Sequence, residues 1–105
     1  MDKKHFFVKL IPPRPTFAMD MTDDERRLMG EHGQYTMRHF AAGKILIFGP
    51  VMAADSVFGM AVFEVDDISE VRQILDNDPT TLAGLNTYEV SPMHVGAAQA
   101  KGAKL

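Results

Sequence analysis

Two histidines lie on the side of a predicted helix that should face the protein interior. In a helix over residues 23–42, His32 and His39 fall within about 40° of Leu28 around the helix axis. Arginine and glutamate side chains occupy the opposite arc. A buried imidazole needs a hydrogen-bond partner, and it can move protons near neutral pH. The residues alone leave two interpretations open: a structural histidine bonded to a backbone carbonyl, or a proton-transfer group.

Two further side chains are candidates for a site, and each also has a purely structural interpretation. Asp78 precedes Pro79, which is the arrangement of a helix N-cap followed by proline in the first turn. Its carboxylate could instead orient an imidazole or stabilise its charge. Arg14 lies between Pro13 and Pro15, where a guanidinium held by the loop could bind a carboxylate, or could simply be solvated.

Several kinds of chemistry find no support in the sequence. The absence of cysteine excludes disulfides, cysteine-based metal centres and thiol nucleophiles. His32 and His39 are seven residues apart, farther than the four-residue spacing of helical zinc ligands, so no metal site is predicted. No serine has a nucleophile-elbow context, and Gly49-Pro50 is no phosphate loop. Because no cofactor motif is found, the sequence favours cofactor-independent proton transfer.

Charge and hydropathy bear on the possible partners. With 105 residues and a net charge of −3, the chain lacks the basic character of most nucleic-acid-binding domains. Phe7, Phe58 and Phe63 loosely match the aromatic positions of an RNA-recognition motif, but its leading basic residue and its middle aromatic are missing. No apolar run approaches the ~20 residues of a membrane span, and no signal peptide is evident. We therefore expect a soluble cytoplasmic protein that binds neither nucleic acid nor membranes.

Start and stop signals predict the elements that must position these side chains. They indicate, in chain order, a strand over 5–11, a loop over 12–20, a helix over 23–42, strands over 44–49 and 58–65, a helix capped by Asp67, a helix start at Asp78-Pro79 and a strand over 86–95. This order predicts an α+β ferredoxin-like βαββαβ fold, a four-stranded antiparallel sheet with two helices on one face. We expect one domain over residues 1–96 and a flexible tail over 97–105.

The predicted sheet has apolar residues on both faces. Side chains alternate along a strand, so in the second strand Ile45 and Ile47 lie on one face and Leu46 and Phe48 on the other. The third strand is also apolar on both faces. We expect both strands to be central in the sheet. Two helices can cover only one face. A homodimer that packs sheet against sheet would cover the other, and the alternative is a monomer covered by its tail or loops.

Several short motifs, in their order and spacing, resemble those of the YciI-like (YCII-related) family of dimeric α+β barrel proteins. They are His32 in the first helix, Gly49-Pro50 after the second strand, Asp55 in the next loop, Asp78-Pro79 and Gly84-Leu85, together with the 13–17 loop and the Glu31-His32…Tyr35 stretch. The resemblance covers residues 5–93.

The resemblance implies a homodimer whose sheets face each other and a cleft that contains a histidine and an aspartate. It implies that His32 is a general acid/base, with Asp78 as its carboxylate partner and Asp55 as a second candidate. Gly49 and Pro50 would shape the substrate-binding wall. Some family members act on small cyclic or aromatic compounds, in dehalogenation or lactone-type chemistry.

Two classes of function stay open at this stage. One is a cofactor-independent enzyme with lyase, isomerase or dehydrochlorinase-like activity, in which Arg14 would let the site take an anionic compound. The other is a non-catalytic small-molecule-binding or accessory module of the same fold. The long proline loop over 12–20 and the second inward histidine, His39, depart from the family pattern.

Overall fold

Residues 2–99 are described by a computed structural model. Their elements, in chain order, are β1 (Lys4–Ile11), α1 (Phe17–Asp20), α2 (Asp23–Ala41), β2 (Ile45–Met52), β3 (Val57–Val65), α3 (Ile68–Asp76), α4 (Pro79–Leu82) and β4 (Thr87–Met93). The four strands form one antiparallel sheet, and the two long helices follow β1 and β3. The chain therefore has the predicted α+β ferredoxin-like fold, with two single-turn helices, α1 and α4, added to it.

The strand order is β2-β3-β1-β4, so β1 and β3 are central and β2 is an edge strand. This corrects the expectation that the second strand is central. The edge position also explains why β2 does not end at Gly49-Pro50 but continues to Met52. Proline cannot donate to a sheet ladder, but an edge strand has a side that needs no donors. Pro92 lies in β4, the other edge.

A β-bulge changes the two faces of β2. Ile45 pairs with Phe63, whereas Ile47 pairs with Val62, so Leu46 is an extra residue in the ladder. The bulge breaks the alternation that the sequence predicts. Ile45 is buried under the helices, and Phe48 follows on that same face, while Ile47 is half exposed on the opposite one.

The hydrophobic core lies between the sheet and α3. Phe63, Val65 and Val71 are fully enclosed, and Leu75 packs beside them. The 19-residue helix α2, in contrast, has no fully buried residue. Helix α3 therefore closes the sheet tightly, whereas α2 stands off from it and leaves space beneath.

The N-terminus of α2 is held by a complete capping box. The Thr22 side chain accepts a hydrogen bond from the Glu25 backbone N–H, and the Glu25 carboxylate accepts one from the Thr22 N–H. Just before it, the segment predicted as a loop contains α1, a single turn that buries Phe17. The prolines of this segment led to the prediction of an irregular loop. The loop prediction was wrong at α1 because Phe17 is buried and anchors a helical turn.

Two further expectations concern the ends and the environment of the chain. Of the predicted tail, residues 97–99 have no regular secondary structure, and residues 100–105 lie outside the described residues. Among residues 2–99, no helix combines the length and the apolar character needed to cross a bilayer.

Two glycines should respond oppositely to the same substitution. Gly43 has φ +82°, so Gly43→Ala should lower the free energy of unfolding by about 1–2 kcal/mol. Gly30 lies in α2 with open space where an alanine methyl group would lie, so Gly30→Ala should raise it by about 0.5–1 kcal/mol. Thermal unfolding should show midpoints shifted in opposite directions by several degrees. Shifts of the same sign would contradict this account of the two positions.

Candidate active site

A cleft of about 320 Å³ lies between α2 and the helix-covered face of the sheet. Leu10, Gly59 and Pro50 are cross-strand neighbours on its floor. A Cβ on Gly59 would come within 3.1 Å of the Leu10 Cβ, so glycine is what keeps this part of the floor open. Most of the lining is apolar. The exceptions include His32, Asp78 and Asn86, which all border the same space.

His32 and Asp78 meet at the cleft. His32 Nδ1 lies 2.5 Å from Asp78 Oδ2, although the two residues are 46 positions apart in the chain. Asp78 is 2% exposed and the His32 side chain 20% exposed. Because an ionised carboxylate only accepts hydrogen bonds, Nδ1 carries the proton. Nε2 is then the ring nitrogen that can reach a molecule in the cleft.

Two groups of Thr80 hold the other oxygen of the Asp78 carboxylate. The Thr80 backbone N–H donates to Asp78 Oδ1 at 2.8 Å, and its hydroxyl donates at 2.6 Å. Burial raises the pKa of Asp78, but the hydrogen bonds from His32 and Thr80 outweigh it and keep this pKa below its ordinary value. The carboxylate thus caps α4, as the sequence predicts, and contacts the imidazole at the same time.

Tyr35 supports the same wall of the cleft. Its hydroxyl donates to the Ile74 carbonyl oxygen at 2.6 Å and so connects α2 with α3. Burial, and then the negative charge of Asp78, raise the pKa of Tyr35. His39 lies one turn farther along α2 and does not border the cleft. It packs edge-to-face on the Tyr35 ring, with centroids 4.7 Å apart, and burial together with Arg38 and Lys44 lowers its pKa.

The remaining predicted site residues fall into two groups. Gly49 and Pro50 line the cleft on the β2 side. Asp55 is exposed in the loop between β2 and β3 and does not line the cleft. The structure therefore brings Asp78, and not Asp55, to His32.

Arg14 is engaged elsewhere. Its guanidinium forms a two-bond fork with the Glu25 carboxylate and donates to the Asp20 side chain and backbone. It does not line the cleft. With four donor contacts inside the protein, it fastens the proline loop to the start of α2. Glu25 is the residue in the sequence that could have indicated this contact, because its carboxylate bonds Arg14 as well as the Thr22 N–H of the capping box. Anion binding by Arg14 stays a prediction.

Sequence reasoning missed Thr80 and Asn86. A threonine two residues after a helix N-cap is a recognisable capping partner, so Thr80 could have been found. Asn86 carries no such signal, because only the folded chain brings it to the cleft. Within residues 2–99, no group of three or more histidine and acidic side chains is placed to hold a metal ion.

The family model of the YCII-related domain matches residues 5–94, and the chain belongs to this family. No curated protein matches it in sequence.

The chain is similar to solved structures, and the first described here shares its fold. 5-Chloro-2-hydroxyhydroquinone dehydrochlorinase (TftG) from Burkholderia phenoliruptrix AC1100, in complex with 2,5-dihydroxybenzoquinone, is 24% identical with a TM-score of 0.65, over 87% of this chain and 95% of that chain. A variant of SnoaB, a cofactor-independent oxygenase from Streptomyces nogalater, is 14% identical with a TM-score of 0.49, over 96% of this chain and 100% of that one.

Removing Arg14 should make the start of α2 less stable in a pH-dependent way. Its hydrogen bonds, and that of the Thr22 N–H, lower the pKa of Glu25 from an ordinary 4.5 to about 2. A carboxylate with a depressed pKa stabilises the fold above pH 4.5, and this contribution disappears as the pH falls from 4.5 to 2. Arg14→Gln should therefore have a lower thermal midpoint at pH 7, with the difference from wild type shrinking over that interval.

The matched control is Arg26→Gln, which removes an exposed ion pair with Asp23 in the same turn of α2. Its midpoint should stay close to that of wild type at every pH. A constant difference between Arg14→Gln and wild type from pH 7 to pH 2 would contradict the assignment to Glu25.

Proposed function

We propose that the protein is an enzyme that uses the His32–Asp78 pair for acid/base chemistry on a small cyclic or aromatic compound. The observation that carries this proposal is a hydrogen-bonded imidazole and carboxylate at the wall of an apolar cleft. Asp78 fixes the tautomer of His32, so that Nε2 can take a proton from the bound compound. The carboxylate then stabilises the imidazolium that forms.

The size and the lining of the cleft support a ring-shaped ligand. A cavity of about 150 Å³ holds a benzene molecule. At about 320 Å³, this cleft has room for one substituted ring or two fused rings. Its walls contain no lysine or arginine within the described residues, which favours a neutral compound over the anionic one that Arg14 suggested.

The reaction begins at an acidic hydroxyl on the ring. Nε2 of His32 takes the hydroxyl proton, and the electron pair stays on the ring system. From there the proton can return to the ring carbon that bears the halogen, which makes this carbon tetrahedral. The halide then departs with its bonding pair while a second ring hydroxyl loses its proton, and a quinone is left. TftG, which shares the fold, is a dehydrochlorinase of 5-chloro-2-hydroxyhydroquinone, so this compound is a suitable first substrate and 2,5-dihydroxybenzoquinone a suitable first ligand.

His32→Gln should lower kcat strongly while binding persists. Loss of a general base lowers kcat by about 10²- to 10⁴-fold, and glutamine keeps most of the side-chain volume. Chloride release from the chlorinated hydroquinone measures turnover, and calorimetry with 2,5-dihydroxybenzoquinone measures binding.

His39→Gln is the matched control, because His39 lies on the same helix and does not border the cleft. Its kcat should stay within a few-fold of the wild-type value. Equal losses in the two variants would count against a catalytic role for His32. If wild type binds the quinone and turns over none of the chlorinated hydroquinone, the non-catalytic binding module is the better description.

We also propose that two copies of the chain pair through the sheet face that the helices leave open. Phe7, Val62 and Ile47 form an apolar row across three strands of this face. Several of its charged groups have neighbours within one chain: His5 Nε2 lies 3.0 Å from a Glu64 carboxylate oxygen, and Lys9 lies over the Phe58 ring and opposite Glu89 in the sheet. A second copy can cover this face without leaving those charges unpaired.

Val62→Glu should convert the dimer to a monomer, because it buries a carboxylate in the middle of the apolar row. Met37→Glu places the same charge on the outer side of α2, where Met37 is half exposed, and should leave the assembly unchanged. Sedimentation velocity gives the mass of each form. A wild-type protein that sediments as a monomer at high concentration would disprove the dimer.

A further inference from the structure

Asn86 is a buried amide at the cleft with no role in the chemistry described so far. It lies between α4 and β4 and is 3% exposed. Its backbone N–H donates to the Thr80 carbonyl oxygen at 3.3 Å, so the turn that carries Asp78 also fixes the position of Asn86. Asn86 borders the same cleft as His32, and its side chain contacts Met29, another lining residue.

The Asn86 carboxamide is poorly satisfied within the protein. Nδ2 donates to the Met29 sulfur at 3.4 Å, and a thioether is a weak acceptor. Oδ1 is buried without a hydrogen-bond partner among residues 2–99. The only other such atom there is the Thr81 hydroxyl oxygen, and Thr81 does not border the cleft. Leaving a buried polar group unpaired costs about 1–3 kcal/mol, so a leucine at position 86 would suit the free protein better.

We propose that Asn86 is a second polar anchor of the cleft, which binds a hydroxyl or carbonyl oxygen of the ligand while another oxygen substituent meets His32. The proposal rests on the function proposed above and narrows its substrate class to rings that carry two oxygen substituents. An amide can both donate and accept, so it suits hydroxyl and carbonyl groups and gives no preference for a carboxylate.

The Met29 side chain would have to move away from the Asn86 amide when a ligand binds there. Its thioether covers the amide in the free protein, and its unbranched side chain has several rotatable bonds. Exchanging a weak sulfur contact for an oxygen partner satisfies the amide at small cost. The ligand therefore gains a hydrogen bond from a group that was already desolvated.

The test uses hydroquinone and p-cresol, two rings of similar size that differ by one hydroxyl exchanged for methyl. Both can present a phenolic hydroxyl to His32, and only hydroquinone offers a second one to Asn86. Affinities are measured by NMR titration for wild type, Asn86→Leu and Thr81→Val. We expect the hydroquinone to p-cresol affinity ratio to fall by about tenfold in Asn86→Leu, the effect of one lost hydrogen bond to a buried group. Thr81→Val should keep the wild-type ratio.

A second measurement needs no ligand. If Asn86 serves binding, Asn86→Leu should unfold at the wild-type temperature or above it, because it removes an unsatisfied amide. A midpoint lowered by ten degrees or more would assign Asn86 to the structure and overturn the inference. So would a wild-type affinity ratio in Asn86→Leu, with both probes still bound at the cleft. If wild type binds neither probe at millimolar concentration, the proposed function fails, and the inference fails with it.

Discussion

The buried carboxylate of Asp78 is the constraint on which the site depends. A carboxylate that is 2% exposed must be surrounded by donors, or its burial would cost several kcal/mol. The donors come from two parts of the fold, His32 on α2 and Thr80 in the first turn of α4. The hydrogen bonds to the Asp78 carboxylate therefore fix how α2 lies against the α4 turn. They also fix the position of the His32 imidazole.

The cleft follows from where each helix makes its apolar contacts. Val71 and Leu75 of α3 close the core, which leaves α2 free of any fully buried residue. Polar contacts help to hold α2: Arg14 bonds Glu25 at its start, and Tyr35 bonds the Ile74 carbonyl farther along. Near its end, Phe40 packs edge-to-face on Phe48 of β2. A helix held by such contacts can stand off from the sheet without losing its place. The core thus supplies the stability, and the space beneath α2 is available for a ligand.

Local patterns predicted the elements well, and long-range pairing explains what they missed. The capping box at Thr22 and the Asp78-Pro79 signal lie within a few residues of the helices they start, so the sequence shows them directly. The bulge at Leu46 depends on the partner strand. The position of β2 at the edge depends on β1 entering the middle of the sheet. Neither the bulge nor the edge position can be predicted from the alternation of side chains along a single strand.

The same distinction holds for the site. The helical period identified His32 as an inward side chain, and the family resemblance suggested Asp78 as its partner. The distance between their atoms required the fold. The contacts of Arg14 with Asp20 and Glu25 were not predicted, because flanking prolines indicate a stiff loop and say nothing about which carboxylates lie near it. Asn86 was missed because an amide just before a strand resembles any turn residue until the cleft is seen beside it.

Charge balance favours a neutral ligand in this cleft. In the proposed reaction His32 acts as the base and so begins with one proton, on Nδ1, which leaves Asp78 as the only full charge on the pair. When Nε2 takes a proton from a neutral hydroxyl, an imidazolium forms between two anions, Asp78 and the ionised ring. The net charge of the cleft does not change, and the new cation has an anion on each side, in surroundings that are apolar and so strengthen the attraction. A ligand that enters as an anion would instead add a second negative charge beside Asp78, and no lysine or arginine lines the cleft within the described residues to offset it.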